Sequence, residues 1–272
     1  MRIALIGYGE VGRILAEDLR ERAHVLAAYD TRLAGDAGQA MREHAQLCGV
    51  TMAADHAEAV RGAELVISAV TASQAVAVAE AVAPGLTGGA FVLDLNSASP
   101  GAKVHACAVV HAALGRYVEG AVMTSVPPHR IKVPLLLGGP DAGALAPLLD
   151  ELGFAARIAS PALGVASATK MCRSVMIKGL EAMVIESFTA ARHYGVEDAV
   201  IASLAETFPG IDWERQAAYF FQRVIEHGRR RSEEVREVAV TVEEAGLAAW
   251  SAAGTAERQA WVAGLADRGV FG

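Results

Sequence analysis

The sequence predicts an α/β chain in which a doubly wound, mainly parallel sheet is followed by an all-helical region entered by a long helix. Three observations predict it. Strand-like and helix-like runs alternate through the first half. A glycine-rich turn, Gly7-Tyr8-Gly9-Glu10-Val11-Gly12, joins the first strand to the first helix. After Pro161 no strand pattern recurs, and one helical pattern runs from 164 to 194. Alternation of this kind suits a parallel sheet, because each parallel crossover needs a helix to carry the chain back.

The elements follow in order. The apolar run 2–6 reads as the first strand, and 11–22 as a helix whose core face carries Val11, Ile14, Leu15 and Leu19. A strand over 25–29 ends at Asp30. A helix over 38–48, a strand over 65–70, a helix over 73–83 and a strand over 90–95 come next. The helix over 100–114 opens on Pro100, where a missing N–H is harmless. Strands at 117–122, 133–138 and 155–158 are expected to add an antiparallel edge, with a helix over 141–152 between the last two. In 164–194, Met171, Val175, Val184, Phe188 and Ala191 recur at helical spacing. About thirty residues of helix span about 45 Å, too long for a crossover. This segment is therefore expected to be the spine of a second, all-helical domain, with shorter helices over 196–207, 211–227, 231–245 and 255–267. The expected domains are 1–160 and 161–272.

Composition narrows the function classes. With 272 residues, 53% hydrophobic and 20% charged, the chain is globular and long enough for a sizeable core. Its net charge of −7 argues against binding nucleic acid or an anionic membrane. Cys48, Cys107 and Cys172 form neither a disulfide framework nor a metal-binding spacing, which points to reduced thiols in a cytoplasm and no metal. The first strand opens at residue 2, so no signal peptide is expected, and no apolar run reaches membrane-spanning length.

The glycine turn carries the first functional signal. Gly7 permits the tight turn, Gly9 lets the backbone approach a phosphate, and Gly12 lets the helix lie close to the strand. Backbone N–H groups at Glu10, Val11 and Gly12 would then face a pyrophosphate at the helix N-terminus. Asp30 lies 18 residues beyond Gly12, close to the spacing of an acid that bonds adenosine ribose hydroxyls. These residues point to NAD or NADP. Asp30 favours NAD, and the Arg32 guanidinium leaves a 2′-phosphate open.

Three further segments point to chemistry. Ser68-Ala69-Val70-Thr71 ends a strand, and Val70 and Thr71 are candidate cofactor contacts at the carboxyl end of the sheet. Asp94-Leu95-Asn96-Ser97-Ala98-Ser99-Pro100 leads from strand to helix, and Asn96 and Ser97 would project polar groups there or cap the helix. Lys170, Ser174, Lys178 and Glu181 recur at i, i+4, i+8 and i+11, on one face of the long helix. Charge on a largely apolar spine is costly unless that face is solvated or meets a cleft. A lysine in a cleft can exchange a proton with a substrate hydroxyl.

Together these segments resemble the β-hydroxyacid dehydrogenase superfamily, which includes 3-hydroxyisobutyrate and 6-phosphogluconate dehydrogenases. The resemblance covers nearly the whole chain. The family's G-x-G-x-x-G matches Gly7, Gly9 and Gly12. Its D-x-S-T-x-x-P loop matches Asp94, Ser97 and Pro100, with Asn96 in place of a serine. Its G-x-G-x-x-x-K-x-x-x-N helix matches Gly164 and Lys170, with Ala166 replacing the second glycine and Ser174 the asparagine. The family's D-A-P-V-S-G-G loop corresponds poorly to Glu119–Ser125. Arg173, Lys178, Gly179, Arg230, Arg231 and Glu234 look closer to a little-characterised, phosphogluconate-dehydrogenase-like branch with its own helical C-terminal domain.

The resemblance implies an N-terminal Rossmann domain and hydride transfer between nicotinamide and a small hydroxy acid or related carbonyl. Lys170 is then the general acid/base, with Ser174 and Asn96 orienting. Ser97, Lys178 and Arg130 are candidates to hold a substrate that is expected to be anionic. It also implies a homodimer, consistent with Trp250, Trp261 and Phe271 in the helical domain. Two alternatives stay open: an imine reductase of the same architecture, and a non-enzymatic NAD(P)H-binding regulatory module.

Overall fold

The structure, a computed structural model, describes residues 1–23 and 25–269. It divides into two compact units, Met1–Lys170 and Met171–Gly272.

The first unit is built on one eight-stranded sheet. Its strands are β1 (Arg2–Ile6), β2 (Val25–Tyr29), β3 (Val50–Met52), β4 (Leu65–Ser68), β5 (Phe91–Asp94), β6 (Arg116–Val122), β7 (Leu135–Gly138) and β8 (Ala156–Ser160). The order is β3-β2-β1-β4-β5-β6-β7-β8. Pairing is parallel from β3 through to β6, antiparallel between β6 and β7, and parallel again between β7 and β8. The order reverses direction between β1 and β4, which is where an open α/β sheet leaves a crevice beyond its strand ends.

Both faces of the sheet are covered. Ile3, Leu5, Leu65, Ile67, Leu93 and Val118 pack on one side with α1 (Glu10–Leu19), α2 (Gly38–Leu47) and α7 (Ala142–Glu151). Ala4, Val66, Val92 and Tyr117 pack on the other with α3 (His56–Val60), α4 (Ala75–Val82) and α5 (Pro100–Ala112). Continuous rather than alternating hydrophobicity in the central strands follows from this double burial. A single turn, α6 (Val126–His129), links β6 to β7. β3 is the strand that the sequence pattern misses. It has three residues on the sheet edge, too few for a period to show.

The helix α8 (Val165–Tyr194) is followed by α9 (Glu197–Thr207), α10 (Trp213–Glu244) and α11 (Trp250–Asp267). The expected helices 211–227 and 231–245 are one helix. Gly228, which lies between the two expected ranges, sits inside it. A Cβ at Gly228 would lie 2.8 Å from the Gln259 carbonyl oxygen and 3.3 Å from the Ala263 methyl on α11. The glycine therefore serves a close helix crossing, not a helix end. α11 also begins earlier than expected, at Trp250. Phe271 lies outside the described residues.

Gly228→Val should drive α10 and α11 apart and lower folding stability by about 1–3 kcal/mol, the usual range for overpacking. A thermal melt of the purified variant reads this directly, and an unchanged midpoint would contradict the crossing.

Candidate active site

One register row crosses the sheet at the carboxyl ends of its parallel strands. It runs Tyr29–Ile6–Ser68–Asp94–Glu119–Gly138. Its polar members Ser68, Asp94 and Glu119 are 3%, 2% and 0% exposed. In-register neighbours share a face, so all three side chains project to the same side of the sheet. Each one ties a different part of the site.

Ser68 holds the loop after β4. Its hydroxyl accepts from Asn96 Nδ2 at 2.9 Å, and Asn96 Oδ1 accepts from the Val70 N–H at 2.6 Å. Asn96 is 4% exposed. Its amide, expected to orient the reacting groups, is engaged here within the protein. Its amide already ties the β4 end to the β5 end. Thr71 stays exposed at the start of the next helical turn.

Asp94 is the hub of a buried cluster. Oδ1 lies 3.0 Å from the Lys103 ammonium and accepts from the Asn96 N–H at 2.8 Å. Oδ2 accepts from the Tyr117 hydroxyl at 2.7 Å. Lys103 Nζ also donates to the Asp94 carbonyl at 3.1 Å. Burial, reinforced by the charge and hydrogen bond of Asp94, pushes the Tyr117 phenol well above its ordinary value, so Tyr117 stays a donor. The cluster fixes the loop that carries Ser97, and Ser99 caps α5 by accepting from the Ala102 N–H at 3.3 Å.

Glu119 holds the start of α8. Its carboxylate accepts from the Ala166 N–H at 3.1 Å, the Ser167 N–H at 3.4 Å and the Ser167 hydroxyl at 2.8 Å. A buried anion at a helix N-terminus is favoured by the unpaired N–H groups and the helix dipole. Gly138 makes room for it, since a Cβ there would lie 2.2 Å from Glu119 Oε1. Gly164, at φ +89°, lets the chain turn into α8 with Pro100 of α5 3.3 Å from where its Cβ would be. One turn further on, Lys170 Nζ donates to Ser97 Oγ at 2.5 Å. Both residues are half-buried and both belong to the first unit.

The glycine turn is shaped for a dinucleotide. Gly7 has φ +93°, and a Cβ there would lie 2.3 Å from the Ala69 carbonyl oxygen. A Cβ on Gly12 would lie 2.1 Å from the Gly7 carbonyl oxygen. No side chain caps α1 at Gly9, so the N–H groups of Glu10, Val11 and Gly12 remain available to a pyrophosphate. Asp30 closes the β2 end, accepting from the Tyr8 N–H at 2.8 Å and from Arg32. Burial alone would raise its carboxyl, but the bonds from Arg32 and Tyr8 outweigh it and hold Asp30 below the usual range.

Arg130 is placed elsewhere. Its guanidinium donates to Glu17 at 2.5 Å and to Asp18 at 2.8 and 2.9 Å, on α1. This corrects its reading as an anion holder, because two carboxylates already neutralise it.

Within the second unit, Lys178 donates to Glu234 at 2.6 Å, and Arg230 donates to the other oxygen of Glu234 at 2.9 Å. Burial depresses the Lys178 amine, with Glu234 opposing. Arg231 is bonded to the fully buried Glu181. These charges brace α8 against α10. Ser174 is half-buried and its hydroxyl makes no hydrogen bond among the described residues.

Residues 2–144 match the family described as the NAD binding domain of 6-phosphogluconate dehydrogenase. The chain belongs to this family, within the β-hydroxyacid dehydrogenase-like superfamily. Residues 191–262 match a domain of unknown function, DUF1932. A solved structure of a conserved hypothetical protein from Sinorhizobium meliloti 1021 is 40% identical, with TM-score 0.78, covering 96% of this chain and 87% of that one. The structure of conserved protein MTH1747, of unknown function and described as structurally similar to 3-hydroxyacid dehydrogenases, is 28% identical with TM-score 0.73, covering 96% and 98%. An uncharacterized 28.5 kDa protein of Methanothermus fervidus is 28% identical over 242 residues, 88% of this chain and 89% of that protein. The family supplies a nicotinamide-binding, oxidoreductase-type fold, and no helix among the described residues is long and apolar enough to cross a membrane.

Two variants test this geometry. Lys103→Ala strands the Asp94 carboxylate in the interior and should cost about 3–5 kcal/mol, the range for breaking a buried pair. A denaturant titration checks it. Asp30→Asn should be less stable than the parent at neutral pH. Because the folded carboxyl is held low, the parent's advantage is present above the ordinary value of 3.8 and fades as pH falls below it. Melts at pH 7 and pH 3 check the sign.

Proposed function

We propose that the protein is an NAD(P)-dependent oxidoreductase acting on the CH–OH group of a small hydroxy acid, or on the related carbonyl, with Lys170 as general acid/base. The carrying observation is the Lys170–Ser97 contact at the end of β5, beside the β4 end and on the same sheet edge as the glycine turn. A nicotinamide dinucleotide supplies the hydride acceptor or donor when bound there.

The chain's own residues do the rest. Gly7, Gly9 and the first N–H groups of α1 bind the pyrophosphate, and Val70 and Thr71 flank the route along the strand ends. Lys170 holds a proton at the substrate oxygen, donating it in reduction and receiving it in oxidation. Ser97 fixes the ammonium, and Ser174, one turn along α8, presents a hydroxyl on the same helix face. Glu119 is a positioning residue, since it sets where α8 begins and therefore where Lys170 stands. The ammonium also attracts a substrate carboxylate. Large apolar side chains exposed on the helical unit, among them Met176 (70%), Met183 (62%) and Trp250 (85%), support a homodimer formed through that unit.

The test is a spectrophotometric screen of small hydroxy acids, their carbonyl counterparts and cyclic imines with both dinucleotides. Lys170→Ala should lower kcat on any hydroxy-acid substrate by about 10²–10⁴-fold, the usual contribution of a positioned acid/base. Its dinucleotide affinity should stay within about threefold, since no phosphate contact is touched. Full turnover in the variant, or turnover of imines alone, would overturn the assignment.

A further inference from the structure

We infer that His44 is a positioning residue for dinucleotide binding. Through the Tyr8 hydroxyl it holds the glycine turn, and through Glu17 it holds α1, so a pyrophosphate meets a turn already in its binding shape. The inference rests on the NAD(P) reading of that turn.

The turn needs anchors from outside. Gly7 and Gly9 have no side chains and populate many backbone conformations, so the segment they bracket stays loose unless it is held. Tyr8, the residue between them, is fully buried. Its N–H donates to Asp30 Oδ2 at 2.8 Å, and its hydroxyl lies 3.1 Å from His44 Nδ1 on α2. The Tyr8 and His44 rings meet edge to face, with centroids 5.7 Å apart. Groups 22 and 36 residues away thus hold one residue of the turn at its backbone and at its tip.

The partners assign the imidazole its roles. His44 Nε2 lies 2.9 Å from Glu17 Oε1 on α1. A carboxylate only accepts, so Nε2 carries the ring proton and Nδ1 accepts from the Tyr8 hydroxyl. Burial pushes the Tyr8 phenol up, so the hydroxyl keeps the proton it donates. The bond from His44, and next the bond from Arg130, hold the Glu17 carboxyl below its usual range, so Glu17 stays an acceptor. The imidazole therefore joins the turn, α1 and α2 in one chain of hydrogen bonds. α1 is the helix whose first N–H groups face the pyrophosphate.

The outer end of the chain is braced as well. Glu17 Oε2 accepts from Arg130 at 2.5 Å. Arg130 has φ +54°, a left-handed conformation uncommon for a residue with a side chain. Asp18 holds it there, accepting from the Ile131 N–H at 3.0 Å and from the guanidinium at 2.8 and 2.9 Å. Backbone strain of this kind persists where neighbouring contacts over-determine it, and it gathers around binding sites. Arg130 thereby keeps Glu17 facing His44. A loop ordered before its ligand arrives loses less entropy on binding, so this chain acts on dinucleotide affinity.

Calorimetry of the full-length protein, with whichever of NAD⁺ and NADP⁺ it binds more tightly, tests this beside a thermal melt of each variant. Tyr8→Phe removes only the hydroxyl and should weaken dinucleotide binding about three- to tenfold, the scale of one hydrogen bond. His44→Leu should do the same, and the two changes together should be no more than about twofold weaker than His44→Leu alone, because both remove one interaction. His44→Gln keeps an N–H for Glu17 and a carbonyl for Tyr8, and should bind within about twofold of the parent. Tyr8→Phe keeps the buried ring, so it carries the test even if His44→Leu fails to fold. Lower melting midpoints with unchanged affinity, additive losses in the double variant, or His44→Gln binding as weakly as His44→Leu would overturn the inference and leave the oxidoreductase reading intact. Binding of neither dinucleotide by the parent would overturn both.

Discussion

The site depends on three buried polar side chains, Ser68, Asp94 and Glu119, that stand in register at the ends of adjacent parallel strands. A polar group in a sheet interior is tolerated only if its hydrogen bonds are met. Each of these meets them by holding a segment distant in sequence: the β4 loop through Asn96, the β5 loop through Lys103 and Tyr117, and the start of α8 through Ala166 and Ser167. The need for satisfaction is thus also what positions Ser97 and Lys170. Rigid strands fix the partners, and Ser97 and Lys170 each sit three residues beyond a held group, Asp94 and Ser167.

The helical unit uses the same logic with ions. Glu181 is fully buried and Arg231 is 4% exposed. Their bond, together with Lys178–Glu234, ties α8 to α10 at two levels one turn apart. Buried pairs contribute little net stability over a hydrophobic isostere, but they penalise any register in which a partner is lost. Gly228, one turn before Arg231 on α10, admits α11 at close range. The long helix is therefore fixed along its length by specific contacts rather than by a uniform apolar stripe.

Much of this was legible in the sequence. The glycine turn, the acid after β2 and the polar stripe from Lys170 are local patterns, and local patterns report secondary structure and nearby geometry. The doubly wound sheet followed by helices was legible for the same reason. What stayed hidden depends on partners far apart in the chain. Glu119 and Ser167 are 48 residues apart, and Asn96 and Ser68 are 28. The signals existed but lacked meaning alone: Glu119 is the one carboxylate in β6, and Lys103 is a single charge on the inner face of α5. Asn96 and Arg130 read as ligand-facing because polar loop residues near strand ends usually do. Their side chains are engaged within the protein, Asn96 with Ser68 and Val70 and Arg130 with Glu17 and Asp18. The expected boundary between 227 and 231 is absent because a glycine at a helix crossing leaves the same mark in the sequence as a break.

The most direct measurement is a crystal structure of the full-length protein grown with oxidised dinucleotide. The account predicts the pyrophosphate against the turn from Gly7 to Gly12, with the Lys170 ammonium still bonded to Ser97 and the Glu119 carboxylate still capping α8. A Lys170 side chain turned into solvent, with Ser97 bonded elsewhere while the dinucleotide is in place, would contradict it.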